Sequence, residues 1–221
     1  GNGSEFKHTD FMGGSGLKRK LYEYSGMFSI HSARNVLIEN STFRDNSIVD
    51  DMVHFVYAEV TINNSQFYRA HLDALDADIS SIVIDNSLFS DAGNDALDLM
   101  TTESTVTNTT IEGSKDKAIS VGEASTLELR QSKILNNAIG LQSKDGSLAK
   151  VVDVDFTGNQ LAVDAYKKNW RYDDGGKVEI VGSRFVDNTY DLSAGKRSTV
   201  SVLDASNARP VVDRGILNGS Y

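Results

Sequence analysis

The segments EVTINNSQF (59–67), SIVIDNSLF (81–89) and ESTVTNTTI (103–111) decide the fold. Each alternates apolar and polar residues, then places an Asn, a small hydroxyl residue and, two positions later, an apolar residue. An earlier copy, NVLIENSTF (35–43), has the same form. Weaker copies follow at 126–134, 148–156 and 177–185. A period of two residues is typical of β-strands, so the sequence predicts a strand that recurs about every 22 residues.

A second strand recurs between these segments, as in DMVHFV (51–56), DALDAD (73–78) and DALDLM (95–100). The repeats face the same way, so strands of successive repeats must lie parallel, about 4.8 Å apart, with their apolar residues in columns. We expect one such column to contain Val53, Leu75, Leu97, Ile119, Ile139 and Val163. These patterns predict an all-β, single-stranded parallel β-helix over residues 1–190, with about seven to eight rungs of about 22 residues. Residues 191–221 lose the repeat and are expected to form a C-terminal cap or tail of the same domain.

A column of mostly amide side chains marks one predicted corner of this solenoid. It contains Asn40, Asn64, Asn86, Asn108, Gln131, Asp153 and Gly182. Asn tolerates the left-handed backbone conformation of a sharp corner, and stacked amides can form hydrogen bonds along the rod. We therefore interpret this column as structural.

Composition limits the class of function. The 221 residues have a formal net charge of −9, no cysteine and one proline. Negative charge disfavours contact with nucleic acid or an anionic membrane surface, and it favours metal cations, basic partners or neutral substrates. Membrane insertion is not expected, because no apolar run is long enough to cross a bilayer. The start, GNGSEFKHTD (1–10), has no signal-peptide pattern, so we expect a signal peptide or further domains of the same polypeptide upstream.

The repeat resembles that of the pectin-lyase-like right-handed parallel β-helix proteins. GNDALDLM (93–100), KDKAISVGEAS (115–125) and AIGLQSKDGS (138–147) are similar to a bacterial, often extracellular subgroup whose activities are unassigned. The resemblance covers about residues 25–190 and implies a right-handed solenoid. Its superfamily includes polysaccharide lyases, polygalacturonases, epimerases and phage tail spikes, and also non-catalytic β-helices that serve only for binding or only as spacers. The polygalacturonase motif set is incomplete here and the pectate-lyase arginine motif is not recognisable, so no catalytic residue of the family is carried over.

Acidic residues concentrate on one predicted face of the middle rungs. Alternation in DALDAD directs Asp76 and Asp78 outward, with Asp98 on the next rung and His54 on the previous one. A neighbouring column, expected to face outward as well, contains Asp51, Asp73, Asp95 and Lys117. Like charges about 4.8 Å apart repel, so the arrangement needs compensation. A calcium ion, a carboxyl group with a raised pKa, or Lys115, Lys117 and backbone donors would each supply it.

The functional interpretation of this face is a groove that processes a polysaccharide. The candidate catalytic residues are His54, Asp76, Asp98 and Lys117, with His54 or Lys117 as the base. The candidate metal ligands are Asp73, Asp76, Asp78, Asp95 and Asp98, with calcium as the candidate cofactor. The alternative is that the Asp residues at strand starts only accept hydrogen bonds from turn amides.

The longest insertion between rungs, KKNWRYDDGG (167–176), places aromatic and basic residues together. With a nearby lysine it supplies the candidate substrate-binding residues Lys144, Lys167, Lys168, Trp170, Arg171 and Tyr172. The alternative is a surface loop that shields the core. We therefore expect a secreted or cell-surface bacterial protein that binds or cleaves a polysaccharide as a lyase or hydrolase. The other hypothesis is a non-catalytic module of a larger surface protein, used for binding or as a spacer.

Overall fold

The computed structural model describes residues 3–203, 208–212 and 215–217. Within these residues the regular structure consists of β-strands alone, arranged in three long sheets and one small hairpin. The hairpin pairs β3 (Leu17–Arg19) with β4 (Tyr22–Tyr24). No helix in this part of the chain has the length and apolar character that crossing a membrane would require.

Each long sheet contains strands from successive turns of the chain. The ten-stranded sheet contains β1 (Glu5–Lys7), β6 (Val36–Glu39), β9 (Glu59–Asn63), β12 (Ser81–Asp85), β15 (Glu103–Thr107), β18 (Thr126–Arg130), β21 (Leu148–Val152), β24 (Lys177–Val181), β27 (Thr199–Leu203) and β28 (Ala208–Val212). The eight-stranded sheet contains β2 (Asp10–Met12), β7 (Thr42–Arg44), β10 (Gln66–Tyr68), β13 (Leu88–Ser90), β16 (Thr110–Glu112), β19 (Lys133–Leu135), β22 (Asp155–Thr157) and β25 (Arg184–Val186). The nine-stranded sheet contains β5 (Gly26–His31), β8 (Asp51–Val56), β11 (Asp73–Asp78), β14 (Leu97–Met100), β17 (Lys117–Gly122), β20 (Ile139–Lys144), β23 (Leu161–Tyr166), β26 (Tyr190–Ala194) and β29 (Gly215–Leu217).

One turn of the solenoid passes through the three sheets in a constant order. For example, β9, β10 and β11 lie in the ten-, eight- and nine-stranded sheets, and β12, β13 and β14 repeat that order. Successive turns pair in parallel, as β11 does with β8 and β14. The eight-stranded sheet has one strand per turn, so the described residues make about eight turns. This confirms the predicted all-β parallel solenoid.

The parallel pairing extends further along the chain than the repeat pattern indicated. Beyond the expected limit at residue 190, β26 pairs with β23 and β27 pairs with β24. The strands that then cover these last parallel strands are antiparallel, β28 on β27 and β29 on β26. Residues 204–207, 213–214 and 218–221 of the expected cap lie outside the described residues.

The core is built from columns of side chains at equal rung spacing. The column under the nine-stranded sheet contains Val53, Leu75, Leu97, Ile119, Leu141, Val163 and Leu192, all with no exposed surface. The prediction that Ile139 belongs to this column was wrong, because Ile139 pairs with Lys117 and Leu161. Its place belongs to Leu141, which pairs with Ile119 and Val163. A second column stacks phenylalanine rings, with centroids 4.9 Å apart for Phe43 and Phe67.

The amide column occupies the corner that was predicted for it. All seven of its members have φ between 47° and 62°. Asn64 Nδ2 donates a hydrogen bond to Asn40 Oδ1, and Asn86 Nδ2 donates to Asn64 Oδ1 at 3.3 Å. The ladder then changes partner, because Asn108 Nδ2 donates to Asp85 Oδ1 at 2.8 Å. The amide ladder is therefore confirmed over three rungs.

A hydroxyl ladder that the sequence analysis did not predict lies beside it. In this column, four backbone N–H groups, from Ser41 to Thr109, each donate to the hydroxyl oxygen of the next rung at 3.2–3.4 Å. The column contains Ser41, Ser65, Ser87, Thr109 and Ser132. These bonds give partners to amides that the corner would otherwise bury unpaired, which explains the small hydroxyl residue after each Asn.

Ile79, at the corner after β11, provides a test of the corner geometry. It has φ 49° and is 43% exposed. A left-handed backbone costs an ordinary L-residue about 1–2 kcal/mol, whereas Asn tolerates it better. We expect Ile79→Asn to raise the free energy of unfolding by about 1 kcal/mol, measured by denaturant unfolding. The control Val83→Asn, at a strand position of equal exposure, should lower it. A less stable Ile79→Asn variant would contradict this account.

Candidate functional site

The outer face of the nine-stranded sheet carries the predicted acidic residues in register. In β11, Leu75 and Ala77 are fully buried, whereas Asp76 and Asp78 are half-buried on the opposite side of the strand. Asp76 lies between His54 of β8 and Asp98 of β14. The sequence spacing therefore predicted this outward column correctly, because parallel strands in register place residues one repeat apart side by side.

The column at the strand starts does not face outward as expected. Asp51, Asp73 and Asp95 are 3%, 7% and 2% exposed. Asp73 Oδ1 accepts hydrogen bonds from the Asp95 backbone N–H at 2.8 Å and from Asn94 Nδ2 at 2.8 Å. Asp95 Oδ1 accepts one from the Lys117 backbone N–H at 2.9 Å. Period-two alternation places these carboxylates on the core side of the strand, where two of them accept hydrogen bonds from amides of the next rung.

His54 is the centre of the site. Its Nδ1 lies 2.7 Å from Ser25 Oγ, and its Nε2 lies 3.2 Å from Asp78 Oδ2. Asp76 Oδ2 is 3.7 Å from Nε2, and Asp51 Oδ2 is 3.7 Å from Nδ1. Hydrogen-bond partners on both ring nitrogens fix the orientation of the imidazole. The side chain of His54 is 12% exposed. We name Ser25, Asp51, His54, Asp76 and Asp78 the histidine cluster.

The sequence analysis did not predict Ser25 as a partner of His54. Ser25 ends the irregular segment before β5, which contains the β3–β4 hairpin, so no repeat spacing connects it to the next rung. The following residue, Gly26, is the feature of the sequence that could have indicated a close approach to His54. A Cβ atom at Gly26 would lie 3.0 Å from the Cβ and backbone nitrogen of His54, so a side chain there would crowd the backbone that carries the imidazole.

Burial and mutual repulsion change the acidity of the carboxyl groups. Burial, followed by the charges of Asp78, Asp51, Asp98 and Asp73, raises the pKa of Asp76 to about 9. Burial likewise raises the pKa of Asp73 to about 7. The pKa of Asp51 is also raised, mainly by burial. The site therefore contains a carboxyl group, Asp76, that keeps its proton at neutral pH.

Lys117 neutralises one carboxylate and does not suit the role of base. Its Nζ lies 3.3 Å from Asp95 Oδ1 and also contacts Asp116. Burial acts to lower the pKa of Lys117, but the charges of Asp95 and Asp116 outweigh burial and raise it. Burial raises the pKa of Asp95 to about 6, although Lys117 opposes that shift. An ammonium group held in this way carries its proton at neutral pH, so His54 is the better candidate for the base.

Two groups of side chains in the described part of the chain have the spacing of metal ligands. One group is Asp51, His54 and Asp76, and the other is Asp50, Asp51 and Asp73, with ligand atoms within 4.8 Å of one another. The second group offers only carboxylate oxygens, which are the ligands that calcium prefers, so it fits the expected cofactor. Of the five candidate ligands, Asp73 and Asp76 belong to these groups, whereas Asp78, Asp95 and Asp98 do not.

The insertion 167–176 borders the same face. Asp145, which is 1% exposed, accepts hydrogen bonds from the backbone N–H groups of Lys168 and Asn169 at 2.8 and 2.7 Å. This contact holds Trp170, 85% exposed, above a concavity of about 350 Å³. The walls of this concavity include Asp98, Glu123, Lys144, Lys168 and Trp170. Asp98 therefore belongs both to the acidic column and to the concavity under the insertion.

The candidate substrate-binding residues do not all border this concavity. Lys144 Nζ donates to Ser120 Oγ at 2.8 Å. Lys167 lies on the opposite side of the insertion, where it borders a second concavity with Lys196 and Arg197. Arg171 is exposed, and Tyr172 packs beside Gly146. The sequence analysis placed Asp145 beside Lys144 at this edge but did not predict its hydrogen bonds to the insertion. It missed Lys196 and Arg197, which lie in a turn outside the repeated segments.

Comparisons with known proteins agree with the architecture. Among solved structures, the chain is similar to tailspike protein 2 from Escherichia coli O157:H7 bacteriophage CAB120, with TM-score 0.57 and 6% identity. It is also similar to pectate lyase Pel9A (TM-score 0.55, 12% identity) and to the A-module of the Azotobacter vinelandii mannuronan C-5 epimerase AlgE6 (0.52, 18%). These alignments cover 80%, 89% and 80% of this chain, but 33%, 53% and 60% of those three chains. The chain thus spans less than two thirds of their length.

The sequence comparisons define the family. No curated protein matches the chain in sequence. The family described as right handed beta helix region matches residues 51–207, which is more than half of the 221 residues. At 6–18% identity, the solved structures show a shared fold and no more. The chain belongs to the right-handed β-helix family.

Proposed function

We propose that this is a secreted, carbohydrate-active β-helix protein that binds and cleaves a polysaccharide along the outer face of the nine-stranded sheet. The observation that carries the proposal is the histidine cluster, an imidazole oriented by Ser25 and Asp78 beside a carboxyl group that keeps its proton. A long face with a polar centre suits an extended polymer, and the fold is shared with a pectate lyase and a mannuronan epimerase. Extracellular or cell-surface localisation is part of this proposal.

Acid–base chemistry is what the cluster can supply. In lyase chemistry, His54 would take the proton beside a uronate carboxylate and Asp76 would give its proton to the departing glycosidic oxygen. In hydrolase chemistry, a carboxylate or His54 would take the proton of the attacking water, and Asp76 would again act as the acid. Both schemes need a proton acceptor beside a carboxyl group that keeps its proton, and the imidazole Nε2 of His54 lies 3.7 Å from Asp76 Oδ2.

Calcium would be held by Asp50, Asp51 and Asp73, the all-oxygen group. When bound, it would neutralise a substrate carboxylate and so acidify the neighbouring proton. The protein's own part is to place this group next to His54, since Asp51 Oδ2 lies 3.7 Å from His54 Nδ1. Asp51 belongs to both groups of potential ligands and is therefore the residue to test.

Calcium is expected to raise the melting temperature of the protein. Binding to the folded state alone stabilises it by about 2.7 kcal/mol at a calcium concentration of 100 times Kd. We expect Asp51→Asn to abolish this shift, whereas Glu112→Gln, on the outer side of the eight-stranded sheet, should retain it. Differential scanning fluorimetry at pH 8, with and without calcium, measures both. An equal calcium shift in Asp51→Asn would refute this ligand group.

Catalysis is tested by a screen of polysaccharides for cleavage. Uronate polymers are followed by the absorbance of unsaturated products, and neutral polymers by newly formed reducing ends. We expect product from at least one polymer. If no polymer yields product and calcium causes no thermal shift, the proposed cleavage is wrong and the non-catalytic binding module becomes the better description.

A further inference from the structure

A basic concavity of about 410 Å³ lies on the far side of the insertion from the histidine cluster. It is bordered by Tyr166, Lys167, Lys168, Trp170, Lys196 and Arg197, together with Asn169. Four of these side chains are cationic and none is acidic. In a chain with a net charge of −9, such a local excess of positive charge is unusual. We name these residues the basic concavity.

The four cations of the basic concavity form no ion pair within the described residues. Elsewhere, Arg44, Arg69 and Arg184 each lie 2.7 Å from a carboxylate oxygen. Across residues 3–203, the side chains in the basic concavity contact no carboxylate; Lys167 Nζ and Arg197 Nη1 donate only to the backbone carbonyl of Asp173, both at 3.0 Å. Unpaired cations facing one concavity create a field that attracts an anion.

The concavity is held in shape by the backbone of the insertion. Gly175 N–H donates to Arg197 O at 2.8 Å, and Gly176 N–H donates to Tyr166 O at 3.0 Å. A Cβ atom at Gly176 would lie 1.9 Å from the Ser143 carbonyl oxygen, so only glycine permits this close approach. Trp170 remains 85% exposed on this anchored loop, where its ring is free to stack on a sugar.

We propose that the basic concavity binds an anionic sugar residue of an acidic polysaccharide, through its carboxylate or sulfate group, outside the catalytic centre. This inference rests on the proposed function and specifies its substrate class. Lys167, Lys168, Lys196 and Arg197 attract the anionic group, and Trp170 stacks on the ring that carries it. Since Lys168 and Trp170 also border the concavity that contains Asp98, one polymer chain can pass over the insertion from one concavity to the other.

The test compares binding of polygalacturonate, dextran sulfate and neutral dextran to the full chain by isothermal titration calorimetry. The informative variant is Lys168→Gln with Lys196→Gln, because neither ammonium group has a hydrogen-bond role in the described structure. We expect Kd for the anionic polymers to rise about fivefold in this variant, and the loss to shrink at high salt. The matched control, Lys133→Gln with Lys150→Gln, makes the same charge change at exposed positions on the other two sheets and should leave Kd nearly unchanged.

The outcomes separate this inference from the proposed function. Preference for polygalacturonate over dextran sulfate would identify the group as a carboxylate, and the reverse would identify it as a sulfate. Equal binding of neutral dextran and the anionic polymers, or an equal loss in the control variant, would overturn the basic concavity while leaving cleavage at His54 intact. If the wild-type chain binds and cleaves no polysaccharide at all, both proposals are wrong.

Discussion

Replacement of His54 by alanine is expected to lower kcat/KM about a thousandfold on a polysaccharide that the wild-type protein cleaves. Removal of a general base costs about 10²–10⁴ in rate, and His54 is the base that the geometry favours. Its imidazole touches Ser25 and Asp78 and lies 3.7 Å from Asp76. The measurement is steady-state kinetics on the polymer that gives product in the screen.

His71 supplies the matched control for this experiment. It is an exposed histidine in the turn before β11, outside the histidine cluster, and it bonds Asn46 through its backbone N–H. His71→Ala should therefore retain nearly full activity. Near wild-type activity in His54→Ala, or an equal loss in His71→Ala, would remove His54 from the role of base.

The second large effect concerns stability and pH. The pKa of Asp76 is about 9 in the folded protein, against about 3.9 for an unperturbed aspartate. Between these values the folded state holds a proton that the unfolded chain has released, so raising the pH destabilises the fold. Asp73, with pKa about 7, and Asp95, with pKa about 6, act in the same direction over narrower ranges. The free energy of unfolding should therefore fall as the pH rises from about 4 to about 9.

Asp76→Asn should remove the largest single contribution to this pH dependence. We expect the variant to match the wild type near pH 4 and to be about 2–3 kcal/mol more stable near pH 9, because the side chain is 23% exposed and solvent screens part of the charge. Denaturant unfolding without calcium at pH 4.5, 7 and 9 measures the difference. A variant less stable than the wild type at pH 9 would contradict the raised pKa.

Asp155 is the control with the opposite sign. The Arg184 guanidinium, whose Nε lies 2.7 Å from Asp155 Oδ1, lowers the pKa of this carboxyl group. A lowered pKa stabilises the fold at neutral pH, and this contribution is lost as the pH falls below the unperturbed value. Asp155→Asn should therefore be slightly less stable than the wild type at pH 7, and the two proteins should converge in acid.

Activity and stability measured together show whether the acidic face serves a function or only destabilises the fold through charge repulsion. Natural proteins commonly give up stability at active sites, so a carboxyl group that destabilises the fold at high pH but is needed for turnover indicates function. If Asp76→Asn, alone or with Asp98→Asn, is more stable and equally active, the acidic column has no catalytic role. If it is more stable and inactive, Asp76 is the acid.

The repeat in the sequence was sufficient for the architecture and for the central column of the site. Alternation showed which side chains of DALDAD point outward, and the 22-residue spacing placed Asp76 between His54 and Asp98. Both inferences hold because parallel strands stack in register, so residues one repeat apart in sequence become neighbours in space. The prediction of Ile139 departed from this rule, because the constant spacing of 22 residues from Ile119 leads to Leu141, which pairs with Ile119 and Val163.

The tertiary structure decided which of these residues form a site. Asp73 and Asp95 are buried because they lie on the core side of their strands, where they accept hydrogen bonds from backbone N–H groups of the next rung. Ser25 and Lys196 come from irregular segments, whose contacts depend on how the chain returns to the rung. The sequence by itself thus determined the solenoid and the order of residues along each column, because the repeat dictates both. The partners of His54, the raised pKa of Asp76 and the basic concavity depend on three-dimensional distances and solvent exclusion, which no periodicity encodes.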